Sequence, residues 1–399
     1  MSFLKSIISM INEIFNQRDY SFLILSIGLL LLPLSINLST FALILALFLK
    51  IIQILILKQK AFKVKSLKAS TLIGLCFFVY ILINSIIQTS LTYTTGVFEN
   101  EFSHLVLLIV IPFLLRGKKD NLLLCYALFT GVIIACSYVF IASFILSVNF
   151  DRDVFETILD IHHTYLSMYI LFFVNFVLVI FFDEYKSNNY FKKVIFISII
   201  SLAFIIIFLV NSKVSIVIFA VILGGYLIIS ISKSNALKYL LAFLVLTSCI
   251  VVFNNKLNVS YKSALDFRQE IWTQSLNSIK ENIYFGNLKM PEKDVLNYKH
   301  YISGKYYLMD SDLNSHNQYL SILLKYGIIG FLVLMLYPVN MVSALNKSTT
   351  KKTMKEVVGF GVILLMIFYI ENVLDRHHGI VFFTIFYNYY LVAIQNEGI

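Results

Sequence analysis

Arg268 and Trp272 stand one helical turn apart in DFRQEIWTQSLNSIKENIYFGN, and His316, Asn317 and Tyr319 follow in DSDLNSHNQYLSILLKYGIIG. An arginine can hold an anionic oxygen pair through parallel N–H donors. An imidazole can take a proton from a hydroxyl. His316 sits where a polar stretch becomes an apolar helix, with Asp312 and Ser315 as candidate N-caps. The partial positive charge of a helix start disfavours the imidazolium and favours the neutral base. A histidine there can equally act as a capping residue without chemistry.

Three shorter stretches add polar groups. FLVNSKVSIV carries Ser212 and Lys213, DRDVFETILDIHHTYLSMY carries Arg152, His162, His163 and Tyr165, and ENVLDRHHG carries Arg376, His377 and His378. Lys213 reads either as an anion ligand or as a lysine snorkelling to the membrane surface. Asp151, Asp153 and Glu156 read as a solvated loop. Neighbouring histidines are not expected to face one centre, and no His-x-x-x-His spacing occurs, so no metal is expected. All four cysteines, Cys76, Cys125, Cys136 and Cys249, lie in apolar runs without zinc-type spacing and read as packing residues.

The elements that position these groups are membrane spans. The chain has 399 residues, 59% hydrophobic and 14% charged, with a mean hydropathy of +0.84. A soluble domain is about 25% charged. Apolar runs at roughly 18 to 20 residues per span give about twelve helices. The first two are placed at Tyr20–Leu38 and Thr40–Leu57, the ninth at Leu237–Phe253, and the last three at His316–Leu345, Lys355–Leu374 and Gly379–Ile394. Before the spans, Phe3 to Phe15 reads as an interfacial amphipathic helix, and no small-residue cleavage site marks a signal peptide.

The net charge of +10 is a topology signal rather than a sign of nucleic-acid binding. Lysines cluster in alternate loops, at Lys58 to Lys68, Lys118 and Lys119, Lys186 to Lys193, and Lys347 to Lys355. That side is expected to be cytoplasmic, together with both termini. All seven histidines then fall on the outer half, with Arg152, Lys213, Arg268 and Arg376. The chain divides into an N-terminal membrane part (1–253), an outer loop (254–315) and a C-terminal membrane part (316–399). In the outer loop, Phe267, Ile271, Trp272, Leu276, Ile279 and Ile283 recur at helical spacing. That helix either carries site residues or rests on the bilayer with Arg268 against lipid phosphate. Gly327 and Gly330 read as close helix packing.

The ordered set Arg268, Trp272, His316, Asn317, Tyr319, Leu320, Gly327 and Gly330 resembles the core of the O-antigen ligase and O-antigen polymerase superfamily. Ser212-Lys213 matches a Ser-Arg or Ser-Lys pair of that family, and IHHTY resembles its Ile-His-x-Ser/Thr-Tyr segment. The resemblance implies an all-α, GT-C-like fold in the bacterial inner membrane, with a helical periplasmic loop between the ninth and tenth spans. It implies a glycosyltransferase of lipopolysaccharide or surface-polysaccharide biosynthesis. The donor would be an undecaprenyl-diphosphate-linked glycan, and the acceptor lipid A–core or another glycan. No metal or other cofactor is implied. His316 and Arg268 would be catalytic, and Lys213, Arg268, Arg152 and Arg376 would hold the diphosphate. Asn317, Tyr319, Trp272, His163 and Tyr165 would position acceptor or sugars. A polymerase joining lipid-linked repeats is the alternative within the family, and a polysaccharide transporter or flippase the alternative outside it. A transporter would more often carry ionisable groups at mid-span.

Overall fold

The computed structural model describes residues 9–14, 19–58, 65–88, 106–116, 118–148, 152–184, 190–231, 260–309, 313–345 and 349–395. Among them there are helices and turns and no strand. The helices are α1 (Tyr20–Leu31), α2 (Ile36–Leu57), α3 (Lys65–Gln88), α4 (106–114), α5 (Lys118–Leu146), α6 (Arg152–Leu159) and α7 (His163–Glu184). They continue with α8 (Tyr190–Leu209), α9 (Lys213–Ile231), α10 (Ser260–Glu281), α11 (Glu292–Ile302), α12 (Gln318–Ala344), α13 (Lys351–Phe368) and α14 (His377–Gln395). Five stretches, within α2, α3, α5, α7 and α12, are long and apolar enough to cross a membrane. Shorter apolar helices occur at Tyr20–Leu31, Lys193–Leu209 and Lys213–Tyr226. The span expected at Leu237–Phe253 lies outside the described residues, as does most of the amphipathic helix expected at Phe3 to Phe15.

The first boundary moves. A span to Leu38 was expected, but α1 stops at Leu31 and α2 starts at Ile36. Pro33 supplies no N–H and interrupts the helix there. The Ser39 hydroxyl closes the resulting hairpin on the Gly28 carbonyl at 2.8 Å.

The chain forms two compact units. One comprises Met1–Ile52, Lys119–Asn258 and Thr349–Ile367. Within it α7 is largely buried and packs against α8 and α9. Asn175 of α7 donates to the Glu356 carbonyl at 3.1 Å and accepts from the Tyr226 hydroxyl at 3.0 Å. Lys50 and Asp19, both buried, pair at 3.7 Å between the starts and ends of α1 and α2.

The other unit comprises Gln53–Lys118, Val259–Ser348 and Phe368–Ile399. Helix α14 is apolar almost all round and buried accordingly. Helix α10 buries one face within this unit. Ile271 and Ile279 join Val295, Leu296, Leu308 and Leu324 in a buried cluster, with Phe267, Leu313, Leu320 and Leu323 packed around it. Leu276 and Ile283, expected on the same apolar face, are exposed. The face that packs is narrower than the sequence pattern because α11 and α12 cover only one side.

Gly327 also departs from expectation. It breaks α12 with φ 64 and ψ −171 rather than serving as a smooth packing surface. The freed groups find partners in the turn after α10: Asn287 N–H donates to the Leu324 carbonyl, and Ile328 N–H to the Ile283 carbonyl, both at 2.8 Å. From α3, the Tyr80 hydroxyl donates to the Tyr326 carbonyl at 2.5 Å, and Asn84 to the Phe285 carbonyl at 2.7 Å. A broken helix in an apolar setting needs such partners, because an unpaired backbone group there costs several kcal/mol. Gly286 faces the break with φ 69, and a Cβ on either glycine would collide with the other's backbone.

Candidate functional site

The segment 314–317 leads into α12 and is clamped from several directions. The Trp272 indole N–H of α10 donates to the Ser315 carbonyl at 2.9 Å. Glu292, at the start of α11, accepts the Ser315 N–H at 2.8 Å. Asn372, in the turn after α13, accepts the Asn317 N–H at 2.8 Å. Asn314 accepts the His316 N–H at 3.1 Å. His316 is held between these anchors with φ 46, in the left-handed region. For a non-glycine residue this costs roughly 1–2 kcal/mol, so the neighbouring bonds hold it there.

The N-cap of α12 is Asn317. Its side-chain oxygen accepts from Tyr319 N–H at 3.0 Å and Leu320 N–H at 3.1 Å. This corrects the expected caps: Ser315 instead hydrogen-bonds to the Asn317 carbonyl at 3.1 Å, and Asp312 lies outside the described residues. It also commits to the helix the Asn317 oxygen that was expected to meet a sugar.

His316 Nδ1 lies 3.7 Å from a carboxylate oxygen of Glu371. That is ion-pair range but beyond a hydrogen bond. Glu371 is buried, while His316 keeps about a quarter of its side chain open at 24%. Beneath this pair runs a polar network. Ser321 hydrogen-bonds to both Glu292 and Asp375. Asn372 donates to Asp375 at 3.0 Å and lies within 3.4 Å of both Glu292 oxygens. Lys325 pairs with Asp375 at 3.0 Å. The Lys325 cation offsets the charge of the partly buried Asp375, and the amide and hydroxyl donors satisfy the buried Glu292 carboxylate. Lys325 is thus part of the support of the His316 segment.

Aromatic rings border the same place. Trp272 meets Tyr369 edge-on at 5.3 Å, and Tyr319 meets Phe368 at 6.3 Å. Tyr369 is 52% exposed and Trp272 half-buried. Arg268, half-buried, stands one turn before Trp272 on α10. Arg376 is exposed, and its carbonyl accepts the Gly379 and Ile380 N–H groups that start α14.

The remaining expected site residues lie in the other unit. Lys213 opens α9 two residues after Asn211, whose φ is 55, and Ser212 between them hydrogen-bonds to Ser215 at 2.7 Å. Its ammonium therefore belongs to a helix start, where anions are favoured. Tyr165 is buried to 1% exposure and is core, which corrects its expected place along an acceptor path. Arg152 and His163 both engage Glu156, at 3.3 and 2.6 Å. Glu156 is therefore no solvated loop residue. Burial alone would raise its carboxyl. The His163 N–H and ring, followed by the charges of Arg152 and His162, outweigh that and bring it down to about 2. His162 and His163 both turn towards this carboxylate, against the expectation that neighbouring histidines diverge.

Glu292, Ser321, Glu371, Asn372 and Asp375 were not singled out from sequence. Glu371, Asn372 and Asp375 sit in ENVLDRHHG, from which only Arg376, His377 and His378 were weighed for a role, and Glu292 carried no local signal.

Taken together, apolar helices of spanning length and an all-helical architecture define a multi-pass membrane protein. Residues 196–335 match a family model described as O-antigen ligase, a range that runs from α8 to α12 and includes Lys213, Arg268, Trp272 and His316. Over that stretch, which is less than half of its length, the chain is similar to the O-antigen ligase family. No curated protein matches the chain.

Proposed function

We propose that this protein is a glycosyltransferase of the bacterial cytoplasmic membrane that moves a glycan from undecaprenyl diphosphate to an acceptor hydroxyl at the periplasmic face. The family match supports a ligase-like or polymerase-like activity. The observation that carries the reading to a residue is His316: a half-open imidazole on a constrained backbone, beside a buried carboxylate, at the start of a helix.

In this reading His316 takes the proton of the acceptor hydroxyl as its oxygen attacks the anomeric carbon. The bond from that carbon to the diphosphate breaks, and its electron pair leaves with the lipid diphosphate. In-line attack inverts the anomeric centre. Glu371 steadies the imidazolium that forms. Arg268 and Arg376, in the same unit, offset the charge developing on the leaving group. Trp272, Tyr319 and the exposed ring of Tyr369 offer faces to sugars. The proposed layout keeps about twelve spans, with α10 and α11 on the periplasmic side.

The test is a gel of surface glycolipid from a strain lacking the gene, complemented with wild type or His316→Ala. His316→Ala is expected to fail while accumulating to normal levels in the membrane. Polymer stranded on the lipid carrier marks a ligase, and a single capped repeat marks a polymerase. Full complementation by His316→Ala overturns the assignment of the base. A gel unchanged by loss of the gene moves the reading to other secreted glycans, and then to transport.

A further inference from the structure

We propose that Glu156, His162 and His163 form a binding site for one divalent first-row metal ion, with Zn2+ foremost, at the junction of α6 and α7. The junction is built to bring them together. Helix α6 buries Phe155 and Leu159, the chain reverses through Asp160 at φ 51, Ile161 is buried, and α7 begins at His163. His162 lies in the turn and His163 on the first helical position, so their rings do not diverge as they would within one helix or strand. The ring centroids are 4.1 Å apart. Glu156 comes over the helix start and accepts the His163 N–H at 3.1 Å.

One ligand atom from each residue lies within 4.8 Å of the other two. The shared Glu156 oxygen is 2.6 Å from His163 Nδ1 and 3.9 Å from His162 Nε2. A tetrahedral ion with bonds of 2.0–2.1 Å sets neighbouring ligand atoms about 3.3 Å apart. Reaching that geometry opens one of these two separations and closes the other by less than an ångström each, and the two imidazole nitrogens, within 4.8 Å of each other, close by at most about 1.5 Å. Two imidazoles and one carboxylate suit Zn2+ and its first-row neighbours, whereas Ca2+ and Mg2+ prefer oxygen-only sets. Three protein ligands leave a fourth position for water.

Among the described residues, the His163 Nδ1–Glu156 hydrogen bond at 2.6 Å competes with the ion, and so do two further contacts. Arg152 Nε lies 3.3 Å from the same Glu156 oxygen, and its side chain, 44% exposed, is free to swing into solvent. Thr164 N–H donates to His162 Nδ1 at 3.4 Å, and ligation through Nε2 would place a proton on Nδ1 and give up that long bond. The ion would replace these with stronger bonds and tie α6 to the start of α7. It takes no part in the transfer step proposed above.

The experiment uses the full-length, tag-free protein in nanodiscs, stripped with chelator and titrated with Zn2+ alone. The wild type is expected to bind one ion with micromolar or tighter Kd, in the presence of millimolar Mg2+ and Ca2+. Glu156→Gln, His162→Ala and His163→Ala are each expected to weaken binding at least tenfold, and His377→Ala to leave it unchanged. Should a variant misfold, the Co2+-loaded wild type decides: visible absorption and X-ray absorption should report two imidazoles and a carboxylate. No stoichiometric binding, unchanged affinity in the three variants, or a different ligand set overturns the proposal. The probe is the metal, so a negative result leaves the glycosyl-transfer reading standing.

Discussion

At the scale of single residues, the polar groups around α12 divide into those that hold the chain and those that stay open. Asn317 belongs to the first kind, because its oxygen satisfies two of the helix's N-terminal N–H groups. Asn317→Ala is expected to cost about 1 kcal/mol, lowering the thermal midpoint of the purified protein, with Asn317→Asp largely retaining it. A sugar-binding role alone would instead leave the midpoint unchanged in both. His316 belongs to the second kind: its anchors are all on the backbone, and the ring is left partly open beside Glu371. The same division separates Tyr165, which is core, from Tyr369, which is exposed.

At the scale of elements, the break in α12 and the turn after α10 depend on one another. The Tyr284–Asn287 turn supplies partners that the broken helix lacks, and the break supplies the Leu324 carbonyl that Asn287 needs. Gly327 takes backbone angles that only glycine adopts readily, and a Cβ there would strike the Tyr284 carbonyl. Gly327→Ala is therefore expected to destabilise the unit by at least about 1–3 kcal/mol. The check is membrane accumulation and detergent-extracted monodispersity. Wild-type behaviour would mean that the helix straightens at no cost. Gly361→Ala is a useful contrast, because a Cβ there meets nothing within 4 Å. Since α10 reaches the His316 segment through Trp272, loosening the turn should also disturb the base.

At the scale of the whole molecule, the proposed sides of the membrane rest on the alternation of lysine-rich loops. The exposed turn at Ser303 should then face the periplasm and the exposed Lys58 the cytoplasm. In a background with all four cysteines replaced, Ser303→Cys is expected to react with a membrane-impermeant maleimide on intact spheroplasts. Lys58→Cys should react only after permeabilisation. The opposite pattern would invert the topology and remove the periplasmic site for transfer.

Class and order were legible in the sequence. Apolar run length reports a membrane helix directly, because each spanning segment must satisfy its own backbone. The order of Arg268, Trp272 and His316, and the helical period of α10, are local properties that survive without a structure. So is the polar-to-apolar change that marks the start of α12. Three things needed the tertiary structure. Glu292 and Glu371 reach the His316 segment from α11 and from the turn after α13. Gly327 proves to be a break because a distant turn is there to pair with it. His162 and His163 converge because α6 folds back and sets Glu156 over α7. Each rests on a contact between residues far apart along the chain or on the sense of a turn, and side-chain periodicity carries information about neither.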